Sequence, residues 1–378
     1  MATLFTNARK LDAHGETLDF WMLVDGSTIT ATGTIEPVDA ETTVDLGGAV
    51  ITPGFIDIHA HGAGGHSYDV GDDEMRAALA VHRAHGTTRS LVSLVANPLA
   101  TLRTSLASIA ALAAEDPTVL GSHLEGPFLA RERRGAHNAE FLRDPSLSDI
   151  DELLDAAAGT LRLVTLAPEL PGALDAIDRF VSAGVTVAIG HTEADYDLAR
   201  EAFERGATVL THAFNAMPGI HHRAPGPVVA ALEDERVTVE IILDGQHVHP
   251  EVAALAFASA PHRIALVTDA MAAAGSHDGD YTLGSLTVSV VNGLAVLRGT
   301  STIAGSTLTQ DAALRIALHR TGLTTETVVE ALTATPARAL GIDDRFGMLA
   351  PGYGADFVVF DETWNAAQVW VGGERLAD

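Results

Sequence analysis

Five short segments of the chain pass through apolar, mostly β-branched residues and then reach a His, a Glu or an Asp. They span residues 56–61, 123–127, 187–191, 209–212 and 266–269. Parallel α/β barrels build their active sites from the C-terminal ends of several strands, so these endings favour a barrel enzyme. Because imidazoles and carboxylates bind metals and transfer protons, the endings also favour a metal-dependent hydrolase.

The chain between residues 51 and 341 has the alternation that a (β/α)8 TIM-type barrel requires. Strand-like runs alternate with Ala- and Leu-rich helical stretches, as expected of parallel βα units. An irregular part after the last of these strands predicts a β-hairpin insertion near residues 280–300. The eight predicted strands, the number that closes such a barrel, begin near Ile51, Thr87, Thr118, Leu161, Val185, Thr208, Val237 and Ile264.

Residues 1–50 and 342–378 differ from the middle of the chain, because short β runs there end at Gly and other turn residues. Such runs are typical of strands in a small sheet. We therefore predict an α/β fold in which both termini form one small β-sandwich domain beside a barrel of residues 51–341.

The scarcity of cysteine and lysine in the chain excludes several kinds of catalytic and metal site. The 378 residues include no cysteine, so a zinc ion would have to be held by His and carboxylate side chains. Lys10 is the only lysine, and it lies in the N-terminal segment, far along the chain from every strand ending. A lysine-bridged metal pair, a Schiff base and a P-loop are therefore excluded.

The formal net charge of −27 argues against nucleic acid and anionic membranes as partners. No segment has the length of a membrane span, and the first 20 residues lack the order of a secretory signal, so we expect a soluble, cytoplasmic protein.

Because the net charge of the chain is strongly negative, an anionic substrate needs a local cationic patch in order to bind. His221, His222 and Arg223 follow the sixth strand and form one, although they could also be a solvated loop. Since Arg suits paired hydrogen bonds to phosphate, we predict that Arg223 binds a phosphate group.

Three strand endings supply the predicted principal metal site. Glu125, His191 and His212 offer one carboxylate and two imidazoles, a ligand set known from catalytic zinc sites that keep an open position. Each residue alone could instead be a core or capping residue, but that explanation is poor for all three together. His123 lies two residues before Glu125, and we predict that it lines the site or orients a ligand.

The first and eighth strands add two further predictions. His59 and His61 lie two residues apart and so face the same side of the first strand, which suits a second metal site. Asp269 follows the eighth strand, where a carboxylate can act as a general base toward water. It could alternatively cap a helix, although residues 270–275 are a poor helix start.

With these segments in place, the chain resembles the N-acetylglucosamine-6-phosphate deacetylase family of the amidohydrolase superfamily over nearly its full length. As a set the motifs are specific, particularly His-Leu-Glu-Gly-Pro-Phe together with Thr-His-x-Phe-Asn-Ala-Met. The matching motifs span residues 53–62, 123–128, 135–138, 190–192, 211–217, 244–248 and 267–270.

The resemblance implies hydrolysis of the acetamide of N-acetyl-D-glucosamine 6-phosphate to D-glucosamine 6-phosphate and acetate. It implies a divalent metal, most plausibly zinc, held by Glu125, His191 and His212, with Asp269 as the general acid and base. His137 would stabilise the oxyanion. The implied substrate contacts are Ala136, His137, Asn215, Ala216, Arg223, His247, Ile303, Ala304 and Gly305.

The resemblance leaves several alternatives open. Some family members lack the His-x-His pair and use one metal, so His59 and His61 leave open whether a second metal binds. The substrate could be another N-acetylhexosamine phosphate, such as N-acetylgalactosamine 6-phosphate, or an N-acyl amino acid or cyclic amide. A barrel that only binds a partner would have lost ligands, and none is missing. A homodimer is implied, in which a subunit could complete its neighbour's pocket.

Overall fold

The computed structural model describes residues 2–376, so Met1, Ala377 and Asp378 of the predicted terminal domain lie outside the described residues. The strands are β1 (Ala2–Asp12), β2 (Gly15–Asp25), β3 (Thr28–Gly33), β4 (Thr42–Asp45), β5 (Val50–Pro53), β6 (Phe55–Asp57), β7 (Gly62–Ala63), β8 (His66–Ser67), β9 (Thr87–Val95), β10 (Val119–Glu125), β11 (Leu161–Leu166), β12 (Thr186–Ile189), β13 (Val209–Leu210), β14 (Thr238–Ile242), β15 (Ile264–Val267), β16 (Gly279–Leu283), β17 (Leu286–Val291), β18 (Leu294–Leu297), β19 (Phe357–Phe360), β20 (Ala366–Val371) and β21 (Glu374–Arg375).

The helices are α1 (Asp72–Ala84), α2 (Leu99–Glu115), α3 (Leu147–Ala157), α4 (Ala173–Ser182), α5 (Tyr196–Glu204), α6 (Gly226–Glu233), α7 (Pro250–Ser259), α8 (Gln310–Arg320), α9 (Thr325–Leu332) and α10 (Ala334–Ala339). Among them, none combines the length and the low charge that crossing a bilayer would require.

Eight parallel strands form the barrel sheet, in the order β6, β9, β10, β11, β12, β13, β14 and β15. Past the ends of the first and last of these strands, a parallel bridge joins Ala60 to Ala270, and the N–H of Asp269 donates to the carbonyl of His59 at 2.8 Å. The residues of β9 and β14 are all buried, as expected for barrel strands covered by helices. The chain is therefore a (β/α)8 TIM-type barrel with a small β domain.

The helices outside the barrel follow from the spacing of their apolar residues. In α4, Ala173, Ala176, Ile177 and Phe180 are buried, and their spacing places them on one face of the helix. Side-chain caps fix where some helices begin, since Asp195 accepts the N–H of Leu198 at the start of α5. Such helices cover the outer face of the sheet and leave the strand ends open.

The strands of both termini form one sheet, in the order β21, β20, β19, β5, β1, β2 and β3, with β4 paired to β1. The register shifts twice within β1, between Phe5 and Ala8 and between Ala8 and Lys10. Such irregularities bend a sheet. The ring centroid of Phe5 lies 5.0 Å from that of Phe357 and 4.8 Å from that of Trp370, although β5 separates their strands, so the sheet encloses its own apolar core.

A buried ion pair links this terminal sheet to the barrel. Arg89 on β9 donates from Nε to Asp356 at 2.6 Å and from Nη2 to the other carboxylate oxygen at 3.1 Å. The guanidinium also lies 4.2 Å from the ring centroid of Phe346. Paired hydrogen bonds of this kind hold two elements in one orientation, while either charge left alone in the interior would destabilise the fold.

One predicted strand start is wrong. The strand predicted to begin near Ile51 is divided: Val50–Pro53 pairs with β1 and β19 of the terminal sheet, and the first barrel strand begins at Phe55. The apolar run continues through both strands, so periodicity alone did not separate them. The prediction that residues 51–341 form one domain and 1–50 with 342–378 another stays a prediction.

The irregular part after β15 is a three-stranded antiparallel sheet, in which β17 pairs with both β16 and β18. The turn between β16 and β17 lies over the barrel opening, because a Cβ on Gly284 would lie 2.7 Å from the side chain of Val95 at the end of β9. This small sheet therefore forms one wall above the strand ends.

Candidate active site

A cavity of about 420 Å³ lies at the C-terminal ends of the barrel strands. It gathers the predicted metal ligands other than the fully buried His59, the predicted proton carrier and most of the predicted substrate contacts. Its lining consists of His61, Val95, Glu125, Glu132, Arg133, Arg134, Gly135, Ala136, His137, His191, His212, Asn215, Ala216, His247, Asp269, Leu283, Thr302, Ile303 and Gly305.

Glu125, His191 and His212 converge at the floor of this cavity, and we call them the first ligand group. Oε1 of Glu125 lies 3.0 Å from Nε2 of His191 and 3.1 Å from Nε2 of His212. The two Nε2 atoms lie 3.0 Å from each other. Three potential ligand atoms that face one another at such distances leave their lone pairs directed at a common point.

His59, His61 and Asp269 form the second ligand group, which lies against Glu125 of the first. Oδ1 of Asp269 lies 3.6 Å from Nε2 of His59 and 3.3 Å from Nε2 of His61. Glu125 faces the same two nitrogens, with Oε1 3.3 Å from His59 and Oε2 3.2 Å from His61. One carboxylate thus lies between two sets of imidazoles.

The backbone is strained where three of these side chains are attached. His191, His212 and Asp269 have φ angles of 49°, 26° and 46°, in the left-handed region that residues with a Cβ rarely adopt. Strain of this kind persists where the surroundings hold it and is concentrated at active sites. The N–H of Ser306 contributes to the hold by donating to the carbonyl of Asp269 at 2.7 Å, and Gly305 allows this close approach, because a Cβ there would lie 3.0 Å from the same oxygen.

The charges in the site depend on one another. Burial raises the pKa of Asp269, but His59 and His61 outweigh burial and hold this pKa at about 2. Burial lowers the pKa of His61, but Asp269 and Glu125 outweigh it and raise the pKa to about 9. Asp269 is therefore ionised at neutral pH, and a cation that binds to His61 has to displace a proton.

Both ligand groups fit a divalent cation. In each group one ligand atom per residue lies within 4.8 Å of the others, and all six residues are buried. The Nε2 atoms of His59 and His61 have no hydrogen-bond partner among the described residues. The Nδ1 atom of His191 donates to the carbonyl of Arg133 at 2.8 Å, which leaves its Nε2 for a cation. Imidazole and carboxylate ligands suit zinc and related divalent metals.

His137 lies beside the metal groups as a neutral donor. The N–H of Ala96 donates to its Nδ1 at 3.2 Å, so the proton of the neutral ring is on Nε2. Burial lowers the pKa of His137, which keeps the ring neutral at neutral pH. Nε2 lies 3.3 Å from Oε2 of Glu125 at the edge of the cavity. Its N–H can therefore be offered to a substrate oxygen.

His247 contributes a group that favours positive charge to the same cavity. Its Nδ1 lies 2.7 Å from Oδ2 of Asp244, whose Oδ1 accepts the N–H groups of Gln246 and His247 at 2.8 Å each. Burial lowers the pKa of His247, but Asp244 outweighs burial and raises it. The ring is thus suited to an anionic group.

The other predicted substrate contacts divide into two sets. Seven of the nine predicted positions line the cavity, namely Ala136, His137, Asn215, Ala216, His247, Ile303 and Gly305. Ala304 is fully buried behind Ile303 and Gly305. Arg223 is exposed, with Nη1 2.7 Å from Nε2 of His222, and is not among the described residues that line the cavity of its own chain.

His123 lies beneath the site and contacts other side chains with both ring nitrogens. Its Nδ1 lies 2.9 Å from Oγ of Ser93, and its Nε2 lies 2.9 Å from Oγ1 of Thr165. Burial lowers the pKa of His123, so the ring is neutral. The ring packs edge to face on His59, with centroids 4.6 Å apart. His123 is not among the described residues that line the cavity, and its role of orienting a ligand stays a prediction.

The sequence predictions missed Glu240 and two arginines. Glu240 is fully buried on β14 and contacts His59, and Arg133 and Arg134 line the cavity. A sequence signal existed for each of them. Glu240 is the single charge in the apolar run 237–243, and the arginines directly precede the Gly-Ala-His motif at residues 135–137.

Comparisons with known proteins agree with this geometry. Residues 50–376 match the amidohydrolase family. The chain is 40% identical over 346 residues to an N-acetylgalactosamine-6-phosphate deacetylase of Escherichia coli O157:H7, covering 90% of this chain and 91% of that protein. It is 36% identical over 346 residues to the N-acetylglucosamine-6-phosphate deacetylase of Bos taurus, covering 88% and 84%.

A solved structure has nearly the same fold. A mutant of an N-acetyl-D-glucosamine-6-phosphate deacetylase from Mycobacterium smegmatis, in complex with N-acetyl-D-glucosamine-6-phosphate, superposes with a TM-score of 0.94. It is 42% identical in sequence, and both chains are covered completely.

Proposed function

The chain belongs to the amidohydrolase family, and on that basis we propose that it hydrolyses the acetamide of N-acetyl-D-glucosamine 6-phosphate. The products are D-glucosamine 6-phosphate and acetate, so the enzyme acts in amino-sugar catabolism. The observation that carries this proposal is the cavity itself. Five of the six residues proposed as metal ligands line it together with His137 and with His247, which is suited to an anion.

The chain's own residues supply the steps of this reaction. A divalent cation, for which we propose zinc, lowers the pKa of a water molecule toward about 7 and polarises the amide carbonyl when it is bound. Asp269, ionised at neutral pH, accepts a proton from the attacking water. As the C–N bond breaks, Asp269 returns that proton to the departing amine. His137 donates from Nε2 to the carbonyl oxygen as that oxygen gains negative charge.

Replacing His137 by asparagine tests the proposed donor. We expect kcat to fall by about 10²–10³-fold, because a donor directed at developing charge contributes that much to the rate. Steady-state kinetics and the cation content should be measured together. His137 belongs to neither ligand group, so the cation content should stay that of the wild type. A kcat close to that of the wild type would contradict the role of His137.

We propose a cytoplasmic homodimer in which the exposed Arg223 of one subunit binds the phosphate in the cavity of the other. Two observations support this arrangement: Arg223 does not line its own cavity, and its guanidinium is exposed beside His222. The relatives in the comparisons are named as deacetylases of sugar phosphates.

Replacing Arg223 by alanine is expected to raise KM for the phosphorylated sugar by about 10–100-fold, because hydrogen bonds to a charged group contribute about 1.5–3 kcal/mol. Turnover at saturation should change little. Arg236, an exposed arginine paired with Asp234, provides the matched control, and Arg236→Ala should leave KM unchanged. An unchanged KM in Arg223→Ala would favour an amidohydrolase for unphosphorylated amides.

A mixture of subunits tests whether Arg223 serves the neighbouring site. In a hybrid dimer one subunit carries Asp269→Asn and the other carries Arg223→Ala. Only if Arg223 acts across the interface does this dimer contain one cavity that has both an intact Asp269 and an intact Arg223. Activity recovered at low substrate on mixing supports the proposed dimer. If mixing recovers no activity although hybrids form, Arg223 does not act between subunits.

An acetate-release assay on the purified, zinc-loaded protein tests the function itself. The proposal predicts efficient release from N-acetylglucosamine 6-phosphate and little from unphosphorylated N-acetylglucosamine. The second candidate substrate is N-acetylgalactosamine 6-phosphate, favoured by the relative of 40% identity. Comparing kcat/KM for the two epimers decides between them, and activity on neither would contradict both proposals.

A further inference from the structure

Glu240 is a buried carboxylate that the proposed chemistry does not use. It lies on β14, one barrel strand away from β13, and its side chain is completely inaccessible to solvent. Moving a carboxylate into the interior costs several kcal/mol unless its oxygens are satisfied. Yet Oε1 of Glu240 has no hydrogen-bond partner among the described residues. A carboxylate that stays buried despite this free-energy cost is expected to have a function in the protein.

The other oxygen of Glu240 contacts a residue from each ligand group. Oε2 lies 3.1 Å from Nδ1 of His59 and 3.2 Å from the backbone nitrogen of His212. This oxygen accepts the backbone N–H of His212, and with a proton on Nδ1 His59 donates to the same oxygen. This oxygen therefore acts on the second ligand group through a side chain and on the first through the backbone.

The contact with His59 determines which ring nitrogen faces the ligand group. When Nδ1 of His59 donates its proton to a hydrogen bond with Glu240, the other ring nitrogen, Nε2, carries the lone pair and faces Glu125 and Asp269. Carboxylates that accept from a metal-ligating histidine also fix its ring orientation and raise its basicity. In the second ligand group His61 has only a backbone carbonyl, that of Ser93 at 3.2 Å, as its Nδ1 partner.

We propose that Glu240 is the positioning residue of the second cation site: it holds His59 in the orientation and tautomer that bind the cation and so sets whether that site is filled. The proposal rests on the cation binding put forward under the proposed function. It concerns a residue outside both ligand groups and assigns it no contact with the substrate.

The backbone contact with His212 has a weaker effect. His212 keeps its side chain in the first ligand group through Glu125 and His191, and its strained φ of 26° is also held by its neighbours. Losing one hydrogen bond to the backbone should therefore affect the first site less than losing the Nδ1 acceptor affects the second.

The test is a zinc titration of the metal-free protein in competition with a chromophoric chelator. The wild type should bind two zinc ions, and His59→Asn should lose the weaker of the two. Glu240→Gln should lower the affinity of that same weaker site by about 10–100-fold, while the affinity of the tighter site changes much less. This readout needs no turnover, so a failure of the proposed substrate assay would not affect it.

Glu330→Gln is the matched control. Glu330 is also a nearly buried glutamate that accepts from a histidine Nδ1, that of His262 at 2.8 Å, but neither residue lines the cavity. The same chemical change there should leave both zinc affinities unchanged. If Glu240 served folding alone, Glu240→Gln would likewise leave both zinc affinities unchanged. Unchanged zinc affinities in a folded Glu240→Gln protein would therefore overturn the proposal.

A double-mutant cycle identifies the route of the effect. In a His59→Asn background only the tighter site remains, and if Glu240 acts through His59, Glu240→Gln should change the zinc affinity of that site little. A loss of affinity of about 10–100-fold at the tighter site there, or an equal loss at both sites in the single variant, would overturn the proposal. So would a wild type that binds one zinc ion. If Glu240→Gln does not fold, Glu240→Asp keeps the charge but shortens the side chain, and unchanged zinc affinities in that variant would overturn the proposal.

Discussion

Replacing Asp269 by asparagine is expected to lower kcat by about 10⁴-fold, the upper range for losing a general acid–base group. Asparagine has nearly the same shape but cannot accept the proton of the attacking water or return it to the amine. The change should affect kcat much more than KM, because the residues proposed to bind the phosphate and the sugar are other ones. Steady-state kinetics on N-acetylglucosamine 6-phosphate measure both constants.

The cation content of this variant has to be measured in parallel, because Asp269 also belongs to the second ligand group. Asp311→Asn is the matched control. Asp311 is a buried aspartate that lies 3.1 Å from Nδ1 of His85 and 2.8 Å from Arg315, outside the cavity lining. Its variant should keep kcat even if it is less stable. An Asp269→Asn enzyme with near-normal turnover and bound metal would show that another group carries the proton.

Replacing Glu125 by glutamine is expected to remove bound cations and to lower activity by about 10⁴-fold or more, since the cation supplies the activated water. Among the residues that the structure describes, Glu125 is the one carboxylate whose oxygens lie within 3.3 Å of ligand nitrogens from both groups. A neutral amide compensates less of the cation charge and offers one ligand oxygen instead of two. Metal analysis by mass spectrometry and acetate release measure the two effects.

The melting temperature provides an independent measure of the same loss. A ligand that binds only the folded state stabilises it by an amount set by its concentration and affinity. Adding zinc to the metal-free wild type should therefore raise its Tm, whereas Glu125→Gln should show little response. Glu330→Gln, with its glutamate outside the cavity, should respond like the wild type. A Glu125→Gln protein that still bound two cations would rule out the shared carboxylate as a ligand.

The strand endings could be predicted from sequence because period and composition determine them. Glu125 is the last residue of β10, so its place at the barrel opening follows from the fold class. His191 and His212 follow their strands by two residues, which the pattern also indicated. What the pattern could not give is the strained backbone at His191 and His212, since φ there depends on tertiary hydrogen bonds.

Other features of the fold and of the site could not be predicted from the sequence and became visible only in the folded structure. Pro53-Gly54 lies at the point where the chain leaves the terminal sheet and enters the barrel, but such a dipeptide indicates only a break in a strand. It does not show that the buried apolar residues on its two sides belong to different sheets. The position of Arg223 outside its own cavity depends on how the loop after β13 folds. Glu240 could have been noticed as a lone charge in an apolar strand, but its contact with His59 joins residues 181 positions apart. Such pairings become visible only when the barrel is closed.

The terminal sheet determines when a newly made copy of this molecule can be completed. β5 receives its second neighbour, β19, and Arg89 its counter-charge, Asp356, from a part of the chain that a ribosome makes after every barrel strand. Until then a growing chain carries a free strand edge and an uncompensated cation, which are hazards for aggregation and stability. A nascent or truncated polypeptide can thus contain every residue of both ligand groups while its terminal sheet is still incomplete.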